Sequence, residues 1–433
     1  MSVSKNATAS PRVPFLDDLR GLAVVAMFVW HTTDAWLRPS LKAGEGFTAL
    51  RIFGGMAAPL FLFLAGAAAA LKLEAAHSRG RPLGVARQQL AARGLGVLVV
   101  GYGLRLSMWL IDGSALLRLS TVPMWLPMLA GLGLAWLATE DWARGLPRAR
   151  IRAVAGVGLW ALGLSLTDHW TPQRLPGLLR VDVLQSIGAS LALVALLAPM
   201  LRLPERRVPS AVLGAIVMLV TEPLGRILPG ALPGAVAGYL GAWPAVAGVG
   251  TMGMFPLAPW LGYALFGAVF GLSVGHARSR EALARTLALG AALFAGLGAL
   301  AGGDLHYVQT LTQALPSSAK LVRAVHRVGI ATSVAGLLHL LERPLAYSPL
   351  RVFGKTSLLL YCVHLEFAYG LASRPIAHRL GYGQWLVGLL LLCAMMYGLA
   401  RLRLHPNFGS RAGRGPGSPD PRSSRPSTKS LEP

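Results

Sequence analysis

The sequence predicts an all-α polytopic membrane protein, a helical bundle of about twelve (11–13) transmembrane helices. Three observations lead there. Of 433 residues, 54% are hydrophobic and only 14% charged, and the mean hydropathy is +0.54; soluble domains carry more charge than this. Apolar segments recur along the chain, each near the ~20 residues that cross a hydrocarbon core. Arginines cluster in alternate connections between those segments, the asymmetry that orients helices in a bilayer.

In chain order, residues 1–12 are a short polar tail. The first apolar run covers 19–36, and with no small-residue cleavage site after it, it reads as a retained span. Further runs fall at 52–72, 91–111, 122–139, 151–167, 183–201, 208–228, 251–273, 284–302, 321–341, 349–371 and 384–402. The Gly- and Pro-rich stretch 231–249 reads either as a re-entrant loop or as an extra span. Arg79, Arg81, Arg87 and Arg93 follow the second run, Arg144, Arg148, Arg150 and Arg152 the fourth, and Arg202, Arg206 and Arg207 the sixth. Arg278, Arg280 and Arg285 follow the eighth, and Arg343 and Arg351 the tenth. The implied orientation has both termini in the cytoplasm and a membrane domain over 13–404 in the inner (cytoplasmic) membrane. Residues 405–433, rich in Gly, Pro, Ser and Arg, are expected to be a disordered basic tail drawn to anionic lipid.

The net charge of +23 therefore reads as topology, and no nucleic-acid partner is expected. Cys362 and Cys393 lie in apolar runs and read as buried small residues. Neither HExxH nor a comparable ligand spacing occurs, so no metal is expected. The absence of a P-loop, or of GxGxxG in a strand–helix context, argues against an ATP-driven pump.

The chemistry-bearing stretch is 17–66. Arg20 and His31 are eleven residues apart, about three helical turns, which puts them on nearly one face and roughly 16 Å apart along the axis. Ionisable groups in lipid are costly and generally functional. His31 suits a general base, with Asp34 one turn on to orient its imidazole. The competing reading is a histidine at the headgroup boundary. Arg20 suits a ligand phosphate; alternatively it snorkels to headgroups, paired with Asp17 at i,i+3. Arg105, well inside the third run, needs a partner or a watery cavity, so an ion pair and a ligand contact both stay open. Arg180, Asp182 and Gln185 open the sixth run, where Gln185 serves either as interhelical glue or as a ligand contact. His364 and Glu366, two residues apart, cannot share a helix face, so at least one looks into the protein. Asp168–His169 and Asp304–His306 are expected in outer loops.

Asp17-Asp18-Leu19-Arg20-Gly21, followed by Met27 and His31, resembles the first-span signature of the transmembrane acyltransferases. The run from Pro59 to Gly66, Val183-Leu184-Gln185-Ser186-Ile187-Gly188, and Phe255 to Gly262 are similar to the heparan-alpha-glucosaminide N-acetyltransferase family and its bacterial relatives. The run from Phe353 through Tyr361 and His364 is similar to the superfamily's late span. The resemblance implies transfer of an acyl group, usually acetyl, from cytoplasmic acyl-CoA to an acceptor across the membrane. It matches His31 to the catalytic histidine, Asp17 and Arg20 to the Asp-x-x-Arg element, and Gln185 and His364 to cavity-lining positions. Ser186 stands where the family often has arginine, and spans four and five look inserted. The acceptor is not carried over.

These readings combine into one expectation: acetyl-CoA as donor and a hydroxyl or amine of an extracytoplasmic carbohydrate or envelope glycan as acceptor. His31 and Asp34 are catalytic; Arg20, Asp17, Arg105 and Gln185 contact the donor; His364 and Glu366 contact the acceptor. Membrane lipids are partners, and a homo-oligomer is allowed. The alternatives are a transporter or lipid flippase without acyl transfer, and a family member that only scaffolds envelope assembly.

Overall fold

A computed structural model describes residues 13–112, 122–170, 178–231, 234–241, 254–277, 280–281, 283–285, 287–292, 316–342 and 348–405. Among the described residues there is no strand; the one bridge pairs Leu37 with Leu380. The helices are α1 (Pro14–Trp36), α2 (Glu45–Gly54), α3 (Ala57–His77), α4 (Leu83–Asp112), α5 (Val122–Ala143), α6 (Arg148–Trp170), α7 (Val183–Leu197), α8 (Val208–Leu219), α9 (Thr221–Ala231), α10 (Gly234–Leu240), α11 (Leu257–Gly275), α12 (Pro316–Leu340), α13 (Pro349–Lys355), α14 (Ser357–Tyr369) and α15 (Tyr382–Leu404).

Seven helical stretches among the described residues are long and apolar enough to cross a membrane: the α2–α3 stretch, α4, α5, α6, α11, the part of α12 over Leu321–Leu340, and α15. The protein is an integral membrane helical bundle. α1 has 23 residues, about 34 Å of helix, but carries charge near both ends.

Several apolar runs divide where one span is expected. The 208–228 run splits into α8 and α9, because Pro223 has no N–H to continue the ladder to Leu219 and the Thr221 hydroxyl bonds the Val217 carbonyl at 3.0 Å. The 349–371 run splits at Thr356. Its N–H turns to the Phe353 carbonyl while its hydroxyl takes the Val352 carbonyl at 2.9 Å. The 52–72 run is divided between α2, which ends at Gly54, and α3, which starts at Ala57 with Pro59 in its first turn. Within 231–249 lies the seven-residue α10; 242–250, much of 284–302, 1–12 and the tail beyond 405 lie outside the described residues.

α1 is central, with α2, α3, α12, α13, α14 and α15 all against it. Pro14 starts it at a position where a missing N–H costs nothing. Its last carbonyls are taken by a returning segment: the His378 N–H donates to Ala35 O and the Leu380 N–H to Trp36 O, both at 2.9 Å. Two further helix pairs, α3 with α11 and α4 with α7, enclose its flank.

Small residues set how closely these helices approach. A Cβ on Gly21 would stand 1.9 Å from the Leu350 carbonyl oxygen, and one on Gly354 would stand 1.8 Å from that of Asp17. α1 and α13 therefore meet backbone to backbone, which a side chain at either position would prevent. At the same crossing Asp18, fully buried, receives two bonds from Arg351: Nε at 3.1 Å and Nη2 at 2.6 Å.

Replacing one partner of a buried bidentate pair leaves the other charge unmatched. Arg351→Leu is expected to destabilise the protein by roughly 3–5 kcal/mol, read as a lowered unfolding midpoint in detergent. The double variant Asp18→Leu/Arg351→Met is expected to recover most of that loss.

Candidate functional site

The C-terminal third of α1 carries His31 into a small group of rings contributed by α14. Its imidazole stands edge-on to His364, with centroids 5.1 Å apart and planes at 76°, and edge-on to Tyr369 at 5.5 Å. Phe28, one turn earlier on α1, lies 5.1 Å from the same His364 ring, and Tyr361 lies 5.6 Å from it. His364 is fully buried and its Nδ1 is 2.9 Å from the Leu360 carbonyl oxygen. A carbonyl only accepts, so Nδ1 holds the proton in the neutral ring and Nε2 is left as a lone pair. That Nε2 is buried without a hydrogen-bond partner, and so is His31 Nδ1. Buried ring nitrogens are ordinarily bonded, so these two are available to a ligand or a proton.

Asp34 does not bond His31 directly, as the i,i+3 spacing had led us to expect. Its carboxylate is exposed, accepts from the Tyr369 hydroxyl at 2.9 Å, and lies 3.9 Å from Lys42 Nζ. The physical reason is competition. Tyr369 comes in from α14 to cover the imidazole, and its hydroxyl ties that cover to Asp34. Two indoles fasten the arrangement: Trp36 Nε1 donates to Ala368 O at 3.2 Å, and Trp385 Nε1 donates to Thr32 Oγ1 at 3.1 Å.

α4 and α7 bring further polar groups. Arg105 pairs with Asp182 at 3.0 Å, and Arg180 Nε lies 3.3 Å from the other oxygen of the same carboxylate. The ion-pair reading of Arg105 is therefore met. Glu366 points away from His364, as two residues on a helix must, and accepts from Ser107 on α4 at 2.9 Å. Gln185 is fully buried, and neither its amide nitrogen nor its oxygen is bonded.

At the other end of α1, Arg20 bonds Asp17 at 3.1 Å. Arg93 on α4 repels both Arg20 and Lys72 of α3, so three cations from three helices share one neighbourhood. Lys72 and Arg93 have no acidic partner among the described residues. Sequence reasoning missed Tyr369, Ser107 and the use of Lys72 and Arg93. Lys72, at the end of the 52–72 run, was a readable signal; the others depend on partners far away in the chain. Asp168 and His169 fall in the last turn of α6, where their side chains are not described, and Asp304 and His306 lie outside the described residues. No group of three His, Cys, Asp or Glu able to hold a metal ion occurs among the described residues.

The helical membrane bundle thus has unbonded imidazole nitrogens at one end of its central helix and a group of cations at the other. Residues 12–122 match the family model described as heparan-alpha-glucosaminide N-acetyltransferase, catalytic. The matched segment spans α1 to α4 and holds Asp17, Arg20, His31, Asp34 and Arg105; over it the chain is similar to a family described as an N-acetyltransferase. A search of curated proteins finds no match.

The unbonded amide of Gln185 distinguishes a structural role from a ligand contact. Each unmet polar group costs about 1–3 kcal/mol, so Gln185→Leu is expected to raise the unfolding midpoint of the ligand-free protein. It is expected to weaken acetyl-CoA binding at the same time, read by calorimetry in detergent.

Proposed function

We propose that the protein moves an acyl group, acetyl in the first instance, from cytoplasmic acyl-CoA to a hydroxyl or amine of an extracytoplasmic sugar or envelope glycan. The single observation that carries this is the division of labour along α1. A buried, unbonded ring nitrogen of His31 stands at one end and Arg20, beside Lys72 and Arg93, at the other. The two ends are about 16 Å apart, a separation of the order of an extended pantetheine arm. Phosphates are attracted to the cations, and the thioester then arrives beside the imidazole.

In this reading His31 takes the proton from the acceptor O–H or N–H as its lone pair adds to the thioester carbonyl carbon. The tetrahedral intermediate collapses, the C–S bond breaks, and the proton passes to the departing thiolate, giving acylated acceptor and free CoA. Tyr369 and His364 restrict the imidazole to one orientation, and Gln185 offers its amide to the donor arm. Arg105 and Asp17 act on the donor by holding neighbouring groups in place; Glu366 stands on the acceptor side with Ser107. The orientation that serves the reaction places Arg20 and both termini at the cytoplasmic face of the inner membrane.

His31→Ala is expected to lower acceptor-dependent CoA release by roughly 10²–10⁴-fold while acetyl-CoA still binds; unchanged turnover would overturn the assignment. Incubation with radiolabelled acetyl-CoA and no acceptor is expected to leave the protein unlabelled. Label retained by wild type and absent from His31→Ala would replace direct attack with an acetyl-histidine intermediate.

A further inference from the structure

Arg323 and Arg327 lie four residues apart in α12, inside the stretch Leu321–Leu340 that can cross a membrane. Arginine in such a stretch needs a partner or a route to water. Arg327 Nη1 donates to the Tyr263 hydroxyl at 3.3 Å, and Arg323 is near enough to act electrostatically on the same phenol. Neither arginine has an acidic partner among the described residues.

Their depth follows from one contact. Phe15 meets His339 edge-on at 5.4 Å, so the C-terminal end of α12 lies beside the N-terminal end of α1. Ala331 and Ala335 share a buried apolar cluster with Leu16, Leu19 and Ala23. From Phe15 to His31 is sixteen residues, and from His339 back to Arg323 is also sixteen, about 24 Å in each case. Measured along the two helices from the Phe15–His339 contact, Arg323 is as many residues away as His31, and Arg327 is one turn nearer to that contact. Arg323 is exposed, and Leu337, fourteen residues on and therefore on nearly the same face, is more than half exposed. On a membrane-crossing helix that face meets lipid.

An aromatic wall leads inward from the arginines. Tyr263 lies 5.6 Å from Trp260, and Trp260 lies 4.7 Å from Phe255. Phe255 lies against the apolar cluster that contains Met27, Phe28 and Tyr361, the immediate surroundings of the His31 and His364 rings. Flat rings of this kind present apolar area to the C–H face of a sugar.

We propose that Arg323 and Arg327 hold the phosphate of a membrane-anchored acceptor, a lipid-borne sugar phosphate, whose sugar lies over Trp260 and Phe255 toward His31. Phosphate binding stands on the arginines alone; the role of that lipid as acceptor rests on the proposed acyl transfer. A soluble acidic glycan fits less well, because both cations lie within the crossing stretch and one faces lipid.

The test uses the full chain in phosphatidylcholine nanodiscs or detergent, with phosphatidic acid as the lipid-phosphate probe and glucose 1-phosphate as its soluble counterpart. Wild type is expected to retain phosphatidic acid in native mass spectrometry. Arg323→Gln/Arg327→Gln is expected to retain roughly tenfold less, and Arg323→Lys/Arg327→Lys to keep most of it. Equal retention by wild type and the Gln variant overturns the proposal. So does displacement by glucose 1-phosphate, which needs no variant and would assign the site to a soluble anion. Acetyl-CoA binding is measured in parallel: its absence from wild type would sink the acyl-transfer reading and leave the lipid result standing.

Discussion

The crossing of α1 and α13 is the constraint on which the site depends. Gly21 and Gly354 let two backbones touch, and the buried Asp18–Arg351 pair locks the register of that contact. α14 follows within two residues, so the position of α13 decides where His364 and Tyr369 land. A shift of one helical residue would rotate His364 by about 100°, away from His31. A buried pair of this kind adds little net stability over apolar residues of the same size. Its value here is specificity, because a single register satisfies both oxygens of Asp18.

Given that register, the chemistry divides between the ends of one helix. The imidazole end is enclosed by aromatic rings and two indole hydrogen bonds, and its buried ring nitrogens are left unbonded. The cation end gathers Arg20, Lys72 and Arg93, with Asp17 as their nearby carboxylate. α4 and α7 close the flank between the two ends, where the buried amide of Gln185 adds a third unbonded polar group.

Some of this was legible in the chain. Asp17 and Arg20 pair as their spacing requires, Arg105 finds a carboxylate, and His364 and Glu366 part onto different faces. The match over residues 12–122 agrees with the motif read in the first helix. The Asp34–His31 bond was read from local geometry, and local geometry was insufficient. Asp34 had a better partner in Tyr369, which lies 335 positions away in the chain. Helix breaks were misread for a related reason: at Thr356 a hydroxyl competes for a carbonyl, and hydropathy does not register such competition.

Composition, hydropathy and the spacing of Arg20 and His31 by themselves determined an all-helical membrane protein with ionisable groups at the two ends of its first long helix. These properties are set by each residue's own chemistry and by its neighbours within a few turns. Only the tertiary structure decided that Tyr369 stands between His31 and Asp34, that Arg351 answers Asp18, and that Arg327 meets the Tyr263 hydroxyl. Each of these depends on how closely two helices approach and at what register. Those quantities come from packed surfaces hundreds of residues apart, and no local pattern encodes them.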